Sequence, residues 1–126
     1  MYRIGKKESD AVARIIRTGR VFRYQKDHVS QCQRFEERYA KFVGTKYALL
    51  TSSGTTAITA ALVALGVGPG DEVIVPAHTY MATAISVVMA GAVPVIVDID
   101  ESITLSPAAL ADAIGPRTKA VIPVHM

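Results

Sequence analysis

One cysteine, Cys32, is present in 126 residues, so no intrachain disulfide framework can form and nothing points to a secreted, disulfide-stapled scaffold. No apolar run reaches the roughly 20 residues that a membrane helix needs. The opening Met1-Tyr2-Arg3-Ile4-Gly5-Lys6-Lys7 goes straight into charge and lacks the apolar core of a signal peptide. Lys/Arg runs never exceed two residues and no aromatic platform is interleaved with them, which argues against nucleic acid. No internal repeat or low-complexity segment is present. A cytoplasmic protein is expected, with neither a membrane nor a nucleic-acid partner.

What is present is enough for one modest domain: half of the residues are hydrophobic. The formal charge of +3 is unevenly spread. Residues 1–47 carry 12 Lys/Arg against 5 Asp/Glu, a surplus of +7, whereas residues 48–126 carry 2 against 6, or −4. A basic first third can face an anionic substrate or an acidic partner. A solvated pair of helices accounts for most of it without either.

The spacing predicts a helix from Lys6 to Thr18, with Val12, Ile15 and Ile16 on one face and Gly19 as the stop. An irregular linker, Gly19 to Gln25, carries exposed aromatics. A second helix is predicted from Val29 to Val43, where Cys32, Phe35, Tyr39 and Phe42 recur at spacings of three and four before Gly44. Strands and helices then alternate. Strands are expected at Tyr47–Leu50, Glu72–Val75, Val93–Val97 and Ala120–Val124. Helices are expected at Thr55–Leu65, Thr79–Ala90 and Pro107–Ile114. Short apolar strands separated by helices imply a parallel sheet covered on both faces. Residues 1–46 read as amino-terminal helices with a connecting loop, and 47–126 as an incomplete α/β domain. Pro123-Val124-His125-Met126 sits where such domains place functional loops, so the sequence reads as interrupted.

The strongest local signal is Thr51-Ser52-Ser53-Gly54-Thr55-Thr56, where a strand meets small hydroxyl residues, a glycine and a helix start. The first amides of a helix lack internal acceptors and carry the positive end of its dipole, which suits a phosphate. Helix capping by Ser52 or Ser53 explains the same residues without a ligand. The lysine of a Walker loop is absent. At the next strand end, Pro76-Ala77-His78-Thr79-Tyr80, the tyrosine offers a face for stacking a ring, although packing is the commoner role. His78 or Thr79 is placed to cap the following helix. Gly68-Pro69-Gly70-Asp71 reads as a turn on the opposite edge. Asp98 and Asp100 resemble paired catalytic carboxylates but read as turn residues. His28, His78 and His125 lack metal-ligand spacing, so no metal is expected. No Gly-x-Gly-x-x-Gly turn follows the first strand, which argues against a Rossmann domain.

Taken together, Phe35 to Gly44, Lys46-Tyr47-Ala48, Thr51 to Ala57, Gly66 to Pro76, Gly91 to Asp100 and Pro116 to His125 resemble the DegT/DnrJ/EryC1/StrS aminotransferases. The resemblance covers nearly the whole chain in order. It implies part of a fold-type I large domain, a mostly parallel sheet flanked by helices and preceded by two amino-terminal helices. It implies pyridoxal 5'-phosphate as cofactor, with Ser53, Gly54, Thr55 and Thr56 on its phosphate and Tyr80 against its ring. The loop with Arg20, Phe22, Arg23 and Tyr24 would lie on the substrate side, and it departs from the family's Thr-Gly-Pro-type segment. The implied reaction passes an amino group from an amino acid donor to a keto-sugar or related ring ketone, in amino-sugar or secondary-metabolite biosynthesis. The implied assembly is a homodimer or a pairing with a complementary carboxyl-terminal chain. The family's Schiff-base lysine and its pyridine-pairing aspartate match no position here, Lys46 and Lys119 included, so no catalytic residue is assigned. This chain alone is then expected to be inactive. One subunit of a split enzyme and a non-catalytic partner-binding module are the remaining alternatives.

Overall fold

The computed structural model describes residues 4–24 and 29–126; Met1-Tyr2-Arg3, Gln25 and His28 lie outside the described residues. The chain forms two compact units, residues 1–50 and 51–126.

In the first unit, α1 spans Lys6–Thr18 and α2 spans Gln31–Val43. Glu8 accepts the Gly5 N–H at 2.8 Å and so satisfies a donor at the start of α1. Ser30 rather than Val29 opens α2: its hydroxyl accepts the Gln33 N–H at 3.2 Å, which sets the start two residues later than the apolar spacing predicts. Both helices stop where expected, at Gly19 and Gly44, each in the left-handed region. Phe35 and Tyr39 do share a face and stack, with centroids 5.5 Å apart. That face is not covered within the unit, since Ala40 is the one buried residue of α2 and α1 has none among the described residues.

The expected strand at Tyr47–Leu50 does not form; among the described residues it pairs with no other strand. An apolar run becomes a strand only when a neighbour completes its ladder. Here the Leu50 N–H goes to the Glu36 carboxylate at 2.6 Å, and the Leu50 carbonyl accepts from Arg23 at 2.9 Å. Side chains thus take the backbone groups that a sheet would use.

The second unit runs α3 (Gly54–Ala64), β1 (Glu72–Pro76), α4 (Ala82–Met89), β2 (Val93–Val97), α5 (Pro107–Ala113) and β3 (Thr118–Val121). The sheet is parallel in the order β2-β1-β3, with Ile74 opposite Val95 and Val121. Val73 and Val75 face Leu62, Val67, Val87 and Ala92, with Ile58 of α3 and Ala84 of α4 at the margin, so one face is closed by α3 and α4. On the other side of the pleat Ile74 is fully buried and α5 packs on β2, but Val93 and Val121 stay partly exposed. Cover on both faces therefore holds over the central strand and not at the flanks. Gly68–Asp71 is the expected turn, closed by Asp71 N–H to the Gly68 carbonyl. Gly91 ends the α4 segment at φ +82, and a Cβ there would lie 3.4 Å from the Pro69 ring. A side chain would meet both strain and crowding.

Two boundaries move for local reasons. α4 begins at Ala82, three residues late, because Ala77–Tyr80 turns first: the Ala77 N–H bonds Val97 and the Tyr80 carbonyl accepts from Thr83. β3 begins at Thr118, two residues early, where Glu72 N–H meets the Arg117 carbonyl and the Arg117 guanidinium meets the Glu72 carboxylate. It ends at Val121, so Ile122-Pro123-Val124 lies outside the strand. The Ile122 N–H still reaches the Ile74 carbonyl, and Pro123 has no N–H to continue the ladder.

Candidate functional site

The start of α3 is built from hydroxyls. Ser53 is its N-cap and accepts the Thr56 N–H at 3.1 Å. The Thr56 hydroxyl lies 2.9 Å from that of Ser53 and 3.3 Å from that of Ser52, and the Thr51 hydroxyl donates to the Ser53 carbonyl. Capping is therefore real. It satisfies only part of the helix terminus: among the described residues neither the Gly54 nor the Thr55 N–H has an acceptor. Ser53, Gly54 and Thr56 are open to solvent. Two free amides, three exposed hydroxyls and the positive helix end are a donor set suited to a phosphate and offer little to a metal cation.

Gly54 sharpens this. Its φ is not positive, and an added Cβ would meet nothing within 4 Å. Neither backbone conformation nor packing within the chain requires glycine there. A group approaching the backbone from outside would require it.

Tyr80 stands just ahead of α4, 77 % exposed, with its ring uncommitted to any core contact. Thr79 rather than His78 serves the helix start, its hydroxyl 2.8 Å from that of Thr83. No hydrogen bond joins Tyr80 to residues 53–56; their helices are joined further along. Ser86 of α4 is fully buried and donates to the Thr55 carbonyl at 3.2 Å while also lying 2.6 Å from the Ala82 carbonyl. It thereby ties the first turn of α3 to α4. A serine inside an apolar helix gives no sequence signal for such a bond, which spans 31 positions.

In the first unit, Arg23 pairs with Glu36 and also donates to the Leu50 carbonyl. The Leu50 N–H, and then Arg23, hold the Glu36 carboxyl below its ordinary value; the hydrogen bond to Glu36 in turn raises Arg23. Phe22 and Tyr24 are exposed, and the Arg23 guanidinium lies 5.8 Å from the Tyr24 ring centre. Arg20 is exposed as well. The clamp on Leu50 spans 14 and 27 residues and has no periodic signature, so the sequence does not reveal it.

Asp100 is a turn residue. It accepts from the Ser102 hydroxyl at 2.5 Å and from the Ser102 N–H at 2.8 Å, and these bonds, the hydroxyl first, keep its carboxyl below the usual range. The Asp98 carbonyl accepts the Ser106 N–H, and Ser106 caps α5. No described helix is long and apolar enough to cross a membrane.

An open, phosphate-suited helix start on a parallel α/β scaffold defines the class; comparison with known proteins gives the family. The chain matches the DegT/DnrJ/EryC1/StrS aminotransferase family over residues 2–126 and belongs to it. It is 54 % identical over 92 residues to the UDP-2-acetamido-2-deoxy-3-oxo-D-glucuronate aminotransferase of Pseudomonas aeruginosa, covering 72 % of this chain and 26 % of that protein. The fold superposes on the aminotransferase from Psychrobacter cryohalolentis with a TM-score of 0.88 at 36 % identity, covering 98 % of this chain and 31 % of that one. NtdA of Bacillus subtilis, solved with bound cofactor PMP, matches at a TM-score of 0.83 and 34 % identity over 98 % of this chain and 28 % of its own. The chain thus spans about a quarter to a third of the length of these relatives.

Proposed function

We propose that this chain is the amino-terminal, cofactor-side part of a pyridoxal-phosphate-dependent aminotransferase that aminates a keto-sugar or related ring ketone at the expense of an amino acid donor. The family, the 3-oxo sugar named for the Pseudomonas relative and the cofactor bound in NtdA support this reading. When bound, pyridoxal phosphate supplies the aldehyde that takes up an amine and the ring that withdraws electrons.

This chain's own residues would do the holding. Gly54 and Thr55 offer backbone N–H groups, and Ser53 and Thr56 offer hydroxyls, to the phosphate. Tyr80 presents a flat face to the ring, and the loop with Arg20, Phe22, Arg23 and Tyr24 faces the substrate. No residue of this segment is assigned the covalent chemistry, so it is inactive by itself and relies on a carboxyl-terminal region, in the same chain or in another. A homodimer in the cytoplasm is the assembly we favour.

Gly54 carries the proposal, because nothing inside the chain asks for it. The test uses that fact. Gly54→Ala should leave the fold and thermal midpoint intact, since the new methyl meets open space and alanine suits a helix better than glycine. It should weaken pyridoxal phosphate about tenfold, the loss of roughly one charge-assisted hydrogen bond. Pyridoxal, which lacks the phosphate, should bind both proteins equally. Wild type that holds pyridoxal phosphate no better than pyridoxal, or a variant that binds like wild type, would end the proposal.

A further inference from the structure

We propose that the first unit carries a second anion site, a cavity lined by Arg14, Arg20 and Arg34 that receives a phosphate or diphosphate group. Three features of the cavity support it. The first is charge without a counter-charge. Arg23 and Arg117 are each paired with a glutamate, whereas Arg14, Arg20 and Arg34 have no ion pair among the described residues. Among the described residues no aspartate or glutamate lines the cavity they share. The three guanidinium groups are exposed and stay charged at any working pH, so an anion that enters the recess is attracted by all of them.

The second feature is Ser30. It lines the same cavity and is 7 % exposed. Its oxygen accepts the Gln33 N–H as the cap of α2, but its own O–H hydrogen has no acceptor among the described residues. A buried hydroxyl is seldom left with its donor unused. An anion in the cavity would accept it. Thr18, by contrast, spends its hydroxyl on the Arg14 and Ile15 carbonyls and contributes only shape.

The third feature is size. The cavity holds about 260 Å³. That is room for several waters at roughly 30 Å³ each, yet below the roughly 300–1,000 Å³ of a site for a drug-sized ligand. It fits one or two phosphate groups and leaves a larger attached moiety outside. The planar fork of arginine matches phosphate oxygens two at a time, so three such groups specify a phosphate better than a single carboxylate. The site shares Arg20 with the substrate-side loop of the preceding proposal but does not depend on cofactor binding.

Calorimetric titration of the full chain with pyrophosphate, UDP and uridine tests this at low salt, where exposed charges are least screened. Pyrophosphate and UDP should both bind saturably with similar affinity, and uridine should not bind. Arg14→Gln, Arg20→Gln and Arg34→Gln should each weaken pyrophosphate about tenfold or more, as loss of a charge-assisted contact implies. Arg17→Gln removes the same charge from α1 outside the cavity and should change affinity less than about twofold. Far-ultraviolet circular dichroism checks that each variant keeps its helices. Equal weakening by Arg17→Gln would reduce the effect to general attraction and overturn the site, as would uridine binding or the absence of saturable binding. The Gly54→Ala variant should respond to the arginine substitutions as wild type does, so a failure here stays separate from a failure of the cofactor reading.

Discussion

In residues 51–126 the helices rest on a sheet whose central strand is closed to water, whereas in residues 4–24 and 29–50 Ala40 is the one buried helix residue. Val73, Ile74 and Val75 are at most 1 % exposed, but Val12 and Ile16 of α1 are 59 % and 66 % exposed. The second unit is held by burial, the dominant favourable contribution to folding. The first is held by what its polar groups do: the Glu8 and Ser30 caps, the left-handed glycines at both helix ends, and the Arg23–Glu36–Leu50 clamp. Such contacts fix conformation but contribute little net stability. The apolar stripes of α1 and α2 are exposed amphipathic faces.

The sharpest way to break this contrast is to cut one apolar side chain from each unit. Ile74→Ala leaves a cavity at the centre of the sheet and should lower the stability of the second unit by about 2–5 kcal/mol in denaturant unfolding. Val12→Ala removes a side chain already mostly in water and should stay within about 0.5 kcal/mol. A loss at Val12 as large as that at Ile74 would mean that α1 is covered in solution, and the contrast would fail.

A smaller effect comes from a local defect that the core tolerates. Ile103 has φ +61, the left-handed region that a β-branched residue avoids. The Asp100–Ser102–Thr104 hydrogen bonds and the Ile99–Leu105 bridge hold it there. Being half exposed, the side chain returns little burial for that strain. Ile103→Asn should therefore raise stability by about 1 kcal/mol, since asparagine accepts this conformation readily. An unchanged or lower unfolding midpoint would show that Ile103 is not strained in solution.

The same contrast explains what was legible in the sequence. The core of β1 could be read because burial on both sides leaves an unbroken apolar run, and Val93–Val97 because its run is equally apolar although it is a partly exposed flanking strand. Glycine stops at 19 and 44 could be read because a positive φ favours one residue type. Tyr47–Leu50 misled for the complementary reason. Its composition is that of a strand, but strandhood belongs to a pair of segments and Leu50 gives its backbone to Glu36 and Arg23 instead. At the candidate site, the Ser53 cap and the opening at Gly54 follow from local chemistry. The Ser86–Thr55 bond, the Arg23–Glu36 pair and the gathering of Arg14, Arg20 and Arg34 are tertiary, and no spacing encodes them.

The finest test concerns how the first unit is held. Leu50 offers its N–H to Glu36, and that bond, ahead of Arg23, keeps the Glu36 carboxyl below its ordinary 4.5. A carboxyl with a lowered folded value adds stability that is fully present above the unfolded value. It is lost as the pH falls through the folded one. The clamp should thus be intact at neutral pH and should open as the pH falls through a value below 4.5. In an NMR titration, the Leu50 amide resonance should shift with a midpoint below 4.5 in wild type. In Glu36→Gln the acid-dependent shift should vanish, while the residues of β1 keep their native resonances in both proteins. A Leu50 midpoint at or above 4.5, or a shift that survives the substitution, would remove the clamp. The helices of the first unit would then have to be held by cover on their apolar faces.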